Sequence, residues 1–87
     1  MLPDSYTFET FFIPARMMPS LKAWVLQGRE PGHFLQAVLE NDLKEAVIRA
    51  DAVNKANLPA FVAFLYNECP ADCWGSKEKY AAWRKLS

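Results

Sequence analysis

Glycine is scarce in this chain of 87 residues, with three in all, and there are two cysteines and a single histidine. So few glycines exclude a glycine-rich phosphate cradle and a collagen-like or low-complexity chain. A single histidine excludes the paired helical histidines of a zinc protease. Cys69 and Cys73, with no second pair, do not complete a four-ligand zinc set. Nor do two cysteines make a disulfide scaffold, so packing alone is expected to hold the fold. Neither sign of charge prevails, because ten Lys and Arg meet ten Asp and Glu for a formal net charge of zero. That balance removes the field that drives non-specific attraction to nucleic acid or to an anionic membrane surface. No apolar run reaches the ~20 residues that span a bilayer, the stretch from Leu58 to Tyr66 being too short. The chain starts without a basic segment ahead of an apolar one, so secretion is not expected and a cytoplasmic location is. In that reducing compartment both thiols are expected to be free.

What the chain does have is apolar bulk, 52% hydrophobic and 14% aromatic residues. This suffices for one core, and the length leaves no room for a second, so residues 1–87 read as one small domain. An apolar excess at this size also points to hydrophobic surface covered by an oligomer or by a partner.

The first twelve residues read as an extended arm. Tyr6, Phe8, Phe11 and Phe12 interleave with Thr and Glu, which suits a strand edge or a docked coil. One strand cannot make a sheet, so the arm either lies on the helices or pairs with a second copy, and the rarity of isolated strands favours the helices. Residues 14–18 read as a separate turn and 19–27 as the first helix, with Pro19 in its first turn and Gly28 closing it. From Pro31 to Asn54 apolar residues recur at helical spacing. Asp42 followed by Glu45 resembles a capping box and Asn41 can end a helix, so two helices are expected to meet there. The rival signal is three acid-to-base pairs at i, i+4: Glu40 with Lys44, Glu45 with Arg49 and Asp51 with Lys55. Each is worth about 0.2 to 0.5 kcal/mol against about 1 kcal/mol for a good cap. Asn57, Leu58 and Pro59 start another helix with Phe61, Val62, Leu65 and Tyr66 as its apolar face, ended by Pro70. Ser76 caps a last helix carrying Tyr80 and Trp83 on one side. The expected fold is all-α, a compact bundle of about five short helices with an extended N-terminal arm at residues 1–12.

Several constellations could carry chemistry. A Cys–His nucleophile built from Cys69 or Cys73 and His33 lacks a glycine-flanked turn, and Glu68 and Asp72 beside the thiols should raise their pKa values. An enzyme is therefore not expected, and neither a cofactor nor a metal. Arg49 and Asn54 stand either on a solvated stripe of salt pairs or in a polar groove receiving an anion or a partner's backbone. Ala46 and Ala50 leave space there for another chain to approach. Trp74, on a loop before a helix start, is either a lid on the core or an exposed anchor, with the short loop favouring the lid. Tyr66, Phe8 and Phe11 complete the aromatic candidates, and Arg16 joins Arg49, Asn54 and Trp74 as the lining of a ligand pocket formed between copies.

The strings Ile-Pro-Ala-Arg-Met-Met (13–18), Pro-Gly-His-Phe-Leu-Gln-Ala-Val-Leu-Glu-Asn-Asp-Leu (31–43), Arg-Ala-Asp (49–51) and Leu-Tyr-Asn-Glu-Cys-Pro-Ala-Asp-Cys-Trp-Gly-Ser (65–76) resemble small uncharacterised proteins of tailed bacteriophages and prophages. The likeness spans Ile13 to Trp83 and carries no activity or site residue. What it implies is context, an accessory product in the bacterial host cell that binds and blocks a host or defence protein. The expectation is thus a non-enzymatic binding protein acting as a homo-oligomer. The alternative is a sequestering protein for a small nucleotide-like signalling molecule.

Overall fold

The computed structural model describes residues 2–84. A hairpin of β1 (Thr7–Phe8) and β2 (Phe11–Phe12) leads through a 3-10 turn (Ala15–Met17) into α1 (Met18–Gln27). Then follow α2 (His33–Leu39), α3 (Leu43–Arg49), α4 (Ala52–Ala56), α5 (Leu58–Glu68), a second 3-10 turn (Ala71–Cys73) and α6 (Lys77–Arg84). The protein is a small, mostly α-helical bundle, with six α-helices among the described residues where about five were expected.

The arm lies on the helices but turns back on itself instead of running on as one extended segment. Thr7 pairs with Phe12 and Phe8 with Phe11, and the chain reverses at Glu9, whose φ is 56°. Strands of two residues cannot persist alone. This pair is held by α5, where Tyr6 meets Phe64 edge-on at 5.1 Å. Buried Asn57 accepts the Phe12 N–H through Oδ1 at 3.0 Å and donates its own amide to the Val53 carbonyl at 2.9 Å. One buried side chain thereby ties the hairpin to the junction of α4 and α5.

The helical region after Pro31 breaks twice. At the expected place Asn41 turns left-handed, with φ 60°, and the Asp42 carboxylate accepts the Glu45 N–H at 3.2 Å. The second break, at Asp51, was not expected. Asp51 is no partner of Lys55 along a helix but the N-cap of α4, accepting the Asn54 N–H at 2.8 Å. The reason is the same in both places, since a cap outweighs an exposed ion pair. Glu45 and Arg49 lie within one helix and do meet, at 3.5 Å. Helix α5 corrects a further expectation. It buries Phe61 and Leu65 together with Ala60, Ala63 and Phe64, and leaves Val62 and Tyr66 outside.

Trp24, fully buried, is where distant parts of the chain converge. Its indole N–H donates to the Cys73 carbonyl at 2.9 Å, and its ring stacks on Tyr80 at 4.4 Å. Its own carbonyl accepts the Trp83 indole N–H at 2.9 Å. The Tyr80 hydroxyl donates to Glu30 at 3.3 Å, and the same carboxylate meets Arg84 at 3.3 Å.

Two outcomes follow from this cluster. Trp24→Phe removes a donor and part of a packed ring, leaving the Cys73 carbonyl without that partner, and should cost about 2 to 4 kcal/mol in a denaturant melt. The second concerns alkaline pH. Burial first and the Glu30 carboxylate second push the Tyr80 phenol up to about 12, against 10.0 for a free phenol. An unfolded chain therefore releases this proton before the folded one does. The stability gained by keeping Tyr80 neutral is complete below pH 10 and drains away as pH rises from 10 through 12. Unfolding midpoints should fall more steeply across that window in the wild type than in Tyr80→Phe.

Candidate functional site

The candidate residues separate into three places. The first holds Arg16 and Asn54. Arg16 Nη2 donates to Asp51 Oδ2 at 2.5 Å, and Asp51 also caps Asn54. Both the Arg16 Nη1 and the Asn54 amide reach the Met17 sulfur, at 3.5 and 3.8 Å. The Asn54 N–H, with the Arg16 guanidinium in support, holds the Asp51 carboxyl below its ordinary 3.8. Asn54 is buried, 4% exposed, and its Oδ1 has no hydrogen-bond partner among the described residues. Arg16 is thus committed to an acid of its own chain instead of facing an open anion site.

Arg49 occupies the second place. It is paired with Glu45 and lines a polar cleft of about 190 Å³ with His33, Glu40, Asp42 and Lys77. Glu45 lines the cleft as well, so three carboxylates meet the two cations Arg49 and Lys77, and the cleft offers no surplus of positive charge for an anion. His33 is exposed here, at the start of α2. Trp74 and Arg49 line different cavities that share Ala37 and Asp42 as a wall. Arg16, Arg49, Asn54 and Trp74 are spread over these three places of one copy.

The third place is apolar. The elbow of α2 and α3 supplies Ala37, Val38, Leu43 and Ala46, α5 supplies Leu58 and Val62, and Trp74 closes the groove, leaving a pit of about 50 Å³. Small Ala46, buried, forms its floor. The sequence placed the space left by Ala46 beside Arg49 and Asn54, whereas the groove opens on the apolar side of α3. Its rim carries large side chains turned to solvent: Leu43 is 71% exposed, Val62 47% and Tyr66, one turn beyond Val62, 78%. Val47, one turn beyond Leu43 on α3, extends the same surface.

Trp74 is half-buried. It packs against the core and at the same time lines the groove, so lid and contact surface are one side chain. Its position follows from its neighbours. The carbonyl of Cys73 is fixed by Trp24, and the Gly75 N–H donates to the Leu39 carbonyl at 2.8 Å. Gly75 itself has φ 116°, which an L side chain rarely adopts, so the turn after Trp74 needs this glycine. Phe8 and Phe11 face each other across the hairpin, half-buried on the core, and belong to the packing of the arm.

The two cysteines are free, Cys69 half-buried and Cys73 fully buried. The hydrogen bond to Cys73, then burial and the charge of Glu68, push the Cys69 thiol far up. Cys73 departs from expectation. The hydrogen bond it receives from Cys69 lowers its pKa, outweighing burial and the adjacent Asp72, which act in the expected upward direction. Among the described residues no group of three or more His, Cys, Asp and Glu is placed to hold a metal ion. No helix among them is long and apolar enough to cross a membrane. No family model matches the chain, and neither a curated protein nor a solved structure does.

Truncation of Trp74 separates its two roles. A fully buried tryptophan costs about 3 to 5 kcal/mol when cut to alanine, so for the half-buried Trp74→Ala we expect about 1.5 to 3 kcal/mol. Circular dichroism should show native helicity with a lowered melting temperature. An unchanged melting temperature would remove the ring from the core.

Proposed function

We propose that this is a non-enzymatic binding protein that works through the apolar groove between the α2–α3 elbow, α5 and Trp74. The observation that carries this reading is that exposed Leu43 and Val62 line a pit with an alanine floor, with exposed Tyr66 one helical turn beyond Val62. Single exposed apolar residues are ordinary on any surface; a contiguous set around a concavity marks an interaction site. Aromatic anchors beside a pocket are the side chains that dominate interface energies, and Tyr66 and Trp74 supply two. Through this groove the chain is proposed to associate with itself and to occupy a partner protein. The resemblance to small phage proteins favours a host or defence protein of a bacterial cell as that partner.

The groove suits a protein surface better than a small anion. It has neither a basic side chain among those lining it nor the volume of a nucleotide site, which is usually several hundred Å³. Light scattering of the 9.9 kDa chain tests self-association directly. The wild type should form a discrete oligomer. Val62→Lys, at an exposed position, should keep the melting temperature within about 1 kcal/mol of equivalent stability while returning the chain to a monomer. A wild type that stays monomeric at millimolar concentration would defeat the self-association. A Val62→Lys oligomer as tight as the wild type would defeat the groove as its interface.

A further inference from the structure

We propose that Met17 is a modification site, a thioether that hydrogen peroxide converts to a sulfoxide whose oxygen is received by two donors already in place. This goes beyond the binding reading and does not depend on it. Met17 ends the 3-10 turn ahead of α1, and its N–H donates to the Pro14 carbonyl at 2.9 Å, which fixes the backbone there. Two N–H donors converge on its sulfur, Arg16 Nη1 at 3.5 Å and Asn54 Nδ2 at 3.8 Å. Both are held from behind. The other arm of the guanidinium, Nη2, donates to Asp51 at 2.5 Å, and Asp51 in turn caps α4 by accepting the Asn54 N–H at 2.8 Å. A thioether is a weak acceptor for two such donors. Asn54 is 4% exposed, and among the described residues its side-chain amide meets no acceptor but this sulfur and its Oδ1 meets no donor. A buried amide so poorly satisfied is costly, and a sulfoxide oxygen is the strong acceptor that Nδ2 lacks.

The distances suit the product. A sulfoxide oxygen stands one bond length out from the sulfur, which brings donors 3.5 and 3.8 Å from that sulfur to about the ~2.9 Å of an N–H···O bond. In the reaction a sulfur lone pair attacks one oxygen of hydrogen peroxide and the O–O bond breaks. The departing oxygen takes the proton of the transferred one and leaves as water. In sum the sulfur loses two electrons and gains one oxygen, and one hydrogen peroxide becomes one water. Burial decides which methionine reacts. Met17 is half-buried, and the Arg16 side chain beside it is 56% exposed, whereas Met18 is 2% exposed and packed in the core. Oxidation therefore selects Met17 over its neighbour. A sulfoxide in an apolar setting disrupts packing, because its oxygen is buried without a donor; at Met17 it gains two, and a methionine sulfoxide reductase restores the thioether.

The test is treatment of the folded full chain with hydrogen peroxide, followed by tandem mass spectrometry that resolves Met17 from Met18, by nuclear magnetic resonance of the side-chain amides and by thermal melts. The expected product carries one oxygen on Met17 while Met18 stays a thioether. An Asn54 Nδ2 proton should move downfield as its acceptor changes from sulfur to oxygen. Oxidation should also lower the melting temperature less in the wild type than in Arg16→Ala, which removes one donor at an exposed position. Met17→Leu, treated alike, accounts for oxidation at Met1 and at the cysteines. The wild-type mass and amide results decide even where the Arg16 variant does not fold. A Met17 left intact, Met17 and Met18 oxidised together in the folded chain, an Asn54 amide signal that does not move, or a melting temperature lowered as far in the wild type as in Arg16→Ala would each overturn the assignment.

Discussion

The buried indole of Trp24 is the constraint on which the second half of the molecule depends. It lies on α1, yet its N–H holds the carbonyl of Cys73, its face carries Tyr80 and its carbonyl holds Trp83. Its two hydrogen bonds span 49 and 59 residues of sequence. A carbonyl buried without a donor costs about 1 to 3 kcal/mol, and the Cys73 carbonyl would be such a group without the indole. The loop after α5 therefore cannot drift from α1 without a penalty comparable to losing a buried methylene or more. Helix α6, of eight residues, is too short to be stable by itself and is positioned through the same ring.

Fixing Cys73 fixes what stands beside it. Trp74 comes next in the chain, and the Gly75 N–H bond to Leu39 clamps the far side, so the tryptophan that closes the groove is held at both flanks. The groove is thus assembled by backbone hydrogen bonds outside it. Substitutions on its rim can change its surface without dismantling the loop.

Much of the fold was legible because its signals are local. The break at Asn41 and Asp42, the Gly28 stop, Pro59 in the first turn of α5 and the Ser76 cap are each decided by one or two side chains, and each lies where the sequence places it. The Asp51 cap was equally local, but it was masked by an attractive i, i+4 partner in Lys55, and the weaker interaction was credited with the position. The hairpin was illegible for another reason. Two residues per strand leave no periodicity, and the partners that hold it, Asn57 and Phe64, are 45 or more residues away. The groove was hidden by the composition of α5, which is apolar on most sides, so helical spacing alone cannot say which stripe faces inward. That choice is made by the hairpin, which packs on Phe64 and turns Val62 and Tyr66 outward. Of the candidate residues, Trp74 lines the groove and Tyr66 stands exposed one turn beyond its Val62, whereas Arg16, Arg49, Asn54, Phe8 and Phe11 are engaged in pairs, caps and packing.

Concavity alone does not identify a site here, because a larger depression, about 430 Å³, lies elsewhere, along α1 with Asp4, Lys22 and Leu26. Lys22 and Asp4 pair across it, and the pairing lowers the Asp4 pKa, but Asp4 is almost fully solvated and such a contact contributes little. Leu26, 66% exposed, is the one large apolar side chain lining that depression that is turned to solvent. A partner docking there would have to displace or desolvate an ion pair to gain one leucine. At the groove the same partner covers exposed Leu43 and Val62, whose carbon surface returns roughly 25 cal/mol for each Å² removed from water, and meets a single carboxylate, Asp42, at the wall. The smaller concavity is therefore the stronger candidate, since what a surface gains on contact depends on the groups it removes from water and not on the space it encloses.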